Sequence, residues 1–172
     1  MKKASFGAWL ATFLLCLGFW MLVTLSTAPD MLIAGVIVSL LASLFAARFF
    51  IHESPFHLLN PKHLFSLLGY TLLVFPVELL KANWDVARRA LSPALPINPG
   101  IVKIPVELES DYGLMALANS ITLTPGTITM EVTEQDGRNY FYVHWIDVTA
   151  DGEEGTQAIC GRMQKWLRRV WK

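Results

Sequence analysis

Charge is scarce in this sequence. Asp, Glu, Lys and Arg together make up 16% of its 172 residues, against roughly 25% in an ordinary soluble domain. Apolar residues make up 53%. Cysteine is nearly absent too. Cys16 lies inside an apolar run and Cys160 far down the chain, so no disulfide framework and no metal-binding spacing can be built. An excess of basic residues is also missing. The net charge is zero, and residues 101–155 hold two basic against ten acidic side chains. Nucleic acid requires a basic face, so that class of partner is excluded.

Catalytic constellations are lacking as well. His144 is the only histidine of the second half, and a lone strand histidine is far more often structural than catalytic. Ser120, Thr122 and Thr124 are hydroxyls without an adjacent base. Asp147, Asp151, Glu153 and Glu154 cluster without the alternation and glycine of a calcium loop. No phosphate loop, dinucleotide fingerprint or zinc spacing occurs. The sequence predicts no enzyme and no cofactor.

What the sequence does have is long uncharged runs. Ala4 to Pro29 are 26 residues without a charge, and Ala8 to Leu25 is long enough to cross a hydrocarbon core of roughly 30 Å. A cleaved signal peptide is the alternative, but the run exceeds the usual apolar core of such peptides. A second uncharged stretch, Met31 to Ala47, follows at once. Ser26-Thr27-Ala28-Pro29-Asp30 between them is a tight reversal, with Pro29 stopping the first helix and Asp30 able to cap the second. The pair reads as a membrane helical hairpin. Lys2, Lys3 and Arg48 lie at its charged ends, which places the N-terminus and the 48–63 loop in the cytoplasm.

A third segment, Leu64 to Val77, is apolar over only 14 residues. It runs on through Glu78, Lys81, Asp85, Arg88 and Arg89 until Ser92-Pro93. Two readings stay open. A spanning helix carries Lys81, Arg88 and Arg89 outside, against the charge rule; an interfacial helix keeps them inside. Once Leu79 and Leu80 extend the run, Glu78 is the only acid near the middle of an apolar segment. It is either an intramembrane proton-relay group or an interfacial residue paired with Lys81 or Lys62.

Pro93, Pro96, Pro99 and Gly100 then make a stiff linker over 93–100. After it the period becomes two. Val102, Ile104, Val106 and Leu108 predict a strand, and Tyr112 to Ile121 a helix. Thr124-Pro125-Gly126 is a type II turn, followed by a strand through Ile128, Met130 and Val132. Gln135 to Arg138 is a hairpin connection, Tyr140 to Val148 a third strand, and Glu154 to Trp171 one amphipathic helix. The expected fold is therefore a membrane α-helical hairpin with helices near 6–25 and 31–50, and a third helix near 64–90. A membrane domain 1–92 precedes an α+β domain, 101–172, in the order β-α-β-β-α.

The run Ala116 to Val132, and above all Asn119-Ser120-Ile121-Thr122-Leu123-Thr124-Pro125-Gly126-Thr127, closely resembles the E subunits of the Mrp (Mnh) multisubunit cation/proton antiporters. The apolar hairpin, the third segment, the proline-rich linker and Val143-His144-Trp145-Ile146 before a basic terminal helix agree with it. The resemblance implies a non-catalytic accessory subunit in the cell membrane, partnered by other Mrp-type membrane subunits and the lipid bilayer. Sodium and proton transport fall to larger subunits. The same module recurs in membrane-bound hydrogenases and related respiratory complexes, which is the alternative. From another class, a membrane-anchored ligand-sensing module is the competing function.

Candidate site residues follow. Asn119, Ser120, Thr122, Thr124, Pro125, Gly126 and Thr127 either satisfy the backbone of their own turn or dock on a neighbouring subunit. Gly35, Ser39 and Ala42, or Ser43 beside it, form a stripe of small residues for close helix packing, against the first helix or a partner. The C-terminal domain is expected in the cytoplasm.

Overall fold

The computed structural model describes residues 6–49 and 60–171. Contacts divide the chain into two compact units, Met1–Asn60 and Pro61–Lys172.

The first unit is a pair of apolar helices, α1 (Phe6–Thr24) and α2 (Pro29–Phe49). Helix α2 begins at Pro29, where a missing N–H costs nothing and the fixed φ suits a first helical position. Asp30 therefore sits inside the first turn rather than capping it. Its carboxylate still favours the N-terminal end of the dipole. The connection is held by Trp20, whose indole Nε1 donates to the carbonyl of Met31 at 3.0 Å. Lys2 and Lys3 lie outside the described residues, as does the side chain of Arg48.

The second unit starts with one long helix, α3, spanning Pro61–Leu91. Tyr70–Val74 inside it is a π-helical stretch. Pro76 accounts for the irregularity: it has no N–H to donate and its ring crowds the carbonyl four residues back. The amide of Phe75 instead reaches Tyr70 O. Next come β1 (Gly100–Val106), α4 (Asp111–Leu123), β2 (Thr127–Gln135) and β3 (Arg138–Trp145). The sheet order is β1-β3-β2 with both pairings antiparallel, so β1 and β2 run parallel on either side of β3. Ser110 caps α4, its Oγ accepting from Gly113 N. Asp136 and Gly137 turn the β2–β3 hairpin with φ of 52° and 73°, the left-handed pair a two-residue turn requires.

The expected single terminal helix is two helices, α5 (Gly152–Ile159) and α6 (Gly161–Leu167). The break is at Cys160, whose φ of −144° is not helical. Period counting could not see it, because Met163, Leu167 and Val170 keep their burial beyond the break.

The core lies between the sheet and the helices. Ile104, Leu117, Ile121, Phe141, Val143 and Leu167 are all fully buried, each worth roughly 1.5–3 kcal/mol of transfer free energy. Tyr70 and Val74 of α3 belong to the same cluster. That is why the division falls at Asn60/Pro61 and not at the boundary expected near residue 92. The 93–100 stretch is also tied down. Asn98 bridges to Asp147, its N–H donating to Ile146 O at 3.1 Å.

Candidate functional site

The motif Asn119–Thr127 ends α4, turns and starts β2. Each hydroxyl in it has work inside the turn. Ser120 Oγ donates to Ala116 O at 2.7 Å and accepts from Tyr70 OH at 2.6 Å. Thr122 Oγ1 donates to Ala118 O at 3.0 Å and accepts from Thr129 N at 3.2 Å. Thr124 Oγ1 and Thr127 Oγ1 both donate to Ile121 O at 2.7 Å and lie 3.1 Å apart. The two bonds to Ile121 O serve a carbonyl at the helix end, where Pro125 has no N–H to offer it; those to Ala116 O and Ala118 O fold the hydroxyls back onto carbonyls inside the helix. Gly126 has φ 93°, which a side chain resists, and its carbonyl accepts from Ile146 N at 2.8 Å. A Cβ there would come 2.9 Å from Ile146 Cγ2. Asn119 is exposed.

One side of this turn lines an open cleft of about 540 Å³ with α3, the end of β3, α5 and α6. Its walls are polar and of both signs. Glu78, 21% exposed, pairs with Lys81 and with Arg162 of α6, each at 3.1 Å. Arg89 pairs with Asp85 and Asp147, each at 2.7 Å, and donates to Pro96 O at 2.6 Å. The structure thus brings Glu78 and the turn Thr124–Thr127 to one cleft, which sequence spacing could not do. Arg162 and Asp147 in the cleft, and Tyr70, which bonds Ser120 of the motif from the core, are residues whose roles sequence reasoning missed. Tyr70 left a trace as a polar group in an apolar run; Arg162, 84 residues from Glu78, left none.

Elsewhere, Trp166 Nε1 donates to Ser66 O at 2.8 Å, its ring lies 3.1 Å from where a Gly69 Cβ would be, and Arg169 stacks over it at 4.3 Å. His144 sits in β3 opposite Ile101 and Ile128. Among the described residues no group of three or more His, Cys, Asp or Glu comes together.

In the first unit, Gly35 and Ser39 are buried, and a Cβ on Gly35 would lie 2.5 Å from Trp20 Cδ1. Ala42 is exposed, and Ser43 occupies the buried position of the next turn. The stripe is Gly35, Ser39, Ser43, at intervals of four, and it faces α1 at its Gly35 end.

The chain combines two apolar helices and a further long one, of which α2 and α3 are long and apolar enough to cross a membrane, with a small α+β domain of a three-stranded sheet and helices. The family model described as "Na+/H+ ion antiporter subunit" matches residues 13–170. The E1 subunit of the Na+/H+ antiporter of a Staphylococcus epidermidis strain is 33% identical over 151 residues, covering 88% of this chain and 89% of that protein. That of a Staphylococcus aureus strain is 30% identical over 152 residues, covering 88% and 90%. Among solved structures, a chain of the membrane-bound sulfane sulfur reductase, an archaeal respiratory membrane complex, is 38% identical with a TM-score of 0.72, covering 96% of this chain and 99% of that one. The chain belongs to the family of E subunits of the Mrp (Mnh) Na+/H+ antiporters.

Proposed function

We infer that this chain is a non-catalytic accessory subunit that assembles with larger membrane subunits of an Mrp-type cation/proton antiporter. The carrying observation is the family match over residues 13–170 together with the nearly full-length antiporter relatives. Helices α1 and α2 hold no ionisable side chain within their apolar middles except Cys16, which suits a part that organises a complex and leaves ion movement to its partners. They form a hairpin across the bilayer, with the N-terminus and the α+β domain in the cytoplasm. The motif turn acts as a rigid support, and Glu78 as an interfacial ion-pair residue on α3.

A second assembly is favoured by one specific observation, the 38% identity to a chain of the sulfane sulfur reductase. In that reading the chain is the corresponding member of an Mrp-like module in a respiratory membrane complex. Affinity purification from its own membranes in mild detergent tests both. Multi-span antiporter subunits in the eluate support the first, and reductase or nickel–iron subunits select the second. Recovery of the chain alone overturns both.

A further inference from the structure

By length and composition α3 (Pro61–Leu91) could cross a membrane. Its packing argues otherwise. One side of the helix is fastened to the sheet domain almost from end to end. Ser66 O takes the Trp166 bond, Tyr70 and Val74 enter the core, and Glu78 pairs with Arg162. Val86 approaches Gly126, and Arg89 pairs with Asp147. From Ser66 to Arg89 these contacts run along about 35 Å of helix at 1.5 Å per residue. That exceeds the roughly 30 Å of a hydrocarbon core. Wherever such a core were placed along α3, part of a domain carrying Arg162, Arg169 and Asp147 would lie inside it.

The opposite side of α3 is bare and apolar. Phe65, Leu72, Leu80 and Trp84 are 72%, 68%, 69% and 76% exposed. The π-helical stretch keeps them in line. In an unbroken α-helix the row through residues 65, 68 and 72 would continue near 76, 79 and 83. The extra residue moves it to Val77, Leu80 and Trp84, with Leu91 at the end, and these are the exposed positions. Arg88 flanks the row and is exposed; Lys81, also exposed, stands at its edge toward the cleft, paired with Glu78. Apolar and aromatic groups beside basic ones suit a bilayer surface, where rings sit at headgroup level and cations meet phosphate. The sequence also enters this helix only eleven residues after the end of a membrane-length helix, α2.

We propose that α3 does not cross the membrane but lies flat in the lipid interface. Its Phe65–Leu72–Leu80–Trp84 row faces the acyl chains, and the sheet domain sits on its aqueous side. The proposal rests on the reading of the chain as a membrane subunit with a cytoplasmic domain, and deepens it by naming lipid as what this face binds.

The test uses the full-length chain within its complex, carrying Cys16→Ser, with the buried Cys160 left in place. Single cysteines Lys62→Cys and Ala94→Cys bracket α3, and Asp136→Cys reports the sheet domain. An impermeant maleimide is applied to right-side-out and inverted vesicles. The expected result is that all three label from the cytoplasmic side. Labelling of positions 62 and 94 from opposite sides overturns the proposal, because α3 then crosses. Labelling of all three from outside keeps the interfacial helix and overturns only the cytoplasmic reading. Nitroxides at Leu72 and Trp84 give the second readout. They are expected to be open to oxygen, closed to a water-soluble nickel chelate, and shallow in the bilayer. Shielding from both quenchers would mean that a protein subunit covers this face, and would overturn lipid as its occupant.

Discussion

The hydroxyl of Tyr70 donates to Ser120 Oγ at 2.6 Å, joining residues 50 positions apart. One comes from the long helix, the other from the motif at the end of α4, and both are buried. Ser120 keeps a second bond, to Ala116 O, so the two partners are not equivalent. Tyr70→Phe removes one donor and leaves Ser120 engaged, costing about 1 kcal/mol. Ser120→Ala strands a buried phenol and costs more, about 1–3 kcal/mol. The double variant should be close to Tyr70→Phe alone. Thermal unfolding of the purified chain checks the order; equal losses for both single variants would show that the bond does not join helix to motif.

Gly126 and Gly137 both have positive φ, 93° and 73°, but differ in their surroundings. A Cβ on Gly137 meets nothing within 4 Å, whereas one on Gly126 meets Ile146 at 2.9 Å. Gly137→Ala should therefore cost only the backbone penalty, roughly 1–2 kcal/mol. Gly126→Ala adds displacement of Ile146, for a total of about 2–4 kcal/mol. The ranking in midpoint temperature is the measurement.

The alternation of Val102, Ile104 and Val106 and the Pro125-Gly126 turn were legible because each depends on residues close in sequence. The order β1-β3-β2 and the Glu78–Arg162 pair were not, since they depend on where distant segments meet. The apolar run at 64–77 was legible as apolar, but its inner face could not be told from its outer one. Tyr70 and Val74 point into the core while Leu72 and Leu73 are exposed, and every fourth position is shifted by the π-helical stretch. Of the small residues singled out on α2, Gly35, Ser39 and Ser43 are buried and Ala42 is exposed.

Cys160, 2% exposed at the α5–α6 break, has its thiol pushed up to about 12 by burial. The folded state thus holds its proton at pH values where an unfolded chain, titrating near 9.0, has lost it. The resulting stability is full below about pH 9 and is lost as pH rises toward 12, at up to about 1.4 kcal/mol per pH unit. Cys160→Ala should remove this part of the alkaline decline, seen as a shallower slope of midpoint temperature between pH 9 and 11. Iodoacetamide should label Cys160 at pH 8 only after denaturation.

Gly35 admits the Trp20 ring, and Ser39 is 1% exposed on the same stripe. Replacing both with leucine should push α1 and α2 apart and lower recovery of partner subunits in affinity purification. Ala42→Leu, at an exposed position, is the control and should recover partners like the wild type. Equal recovery from the double variant would remove this helix pair from the assembly argument.

Glu78 bears on whether the chain carries protons. Its carboxylate sits 21% exposed between Lys81 and Arg162, at 3.1 Å from each, and on the cleft side of α3. Exposed ion pairs of this kind contribute about 0–1 kcal/mol. Glu78→Gln keeps the shape and removes the charge, so the assembled complex should transport within a few-fold of wild type and unfold at nearly the same temperature. Arg162→Gln should behave alike, since both break the same pair. A proton-path role predicts a different pattern. Glu78→Gln would then abolish transport with the complex intact, while Arg162→Gln, which leaves the carboxylate in place, would not. Transport assays in inverted vesicles on both variants, with subunit recovery measured beside them, separate a pairing residue from a proton carrier.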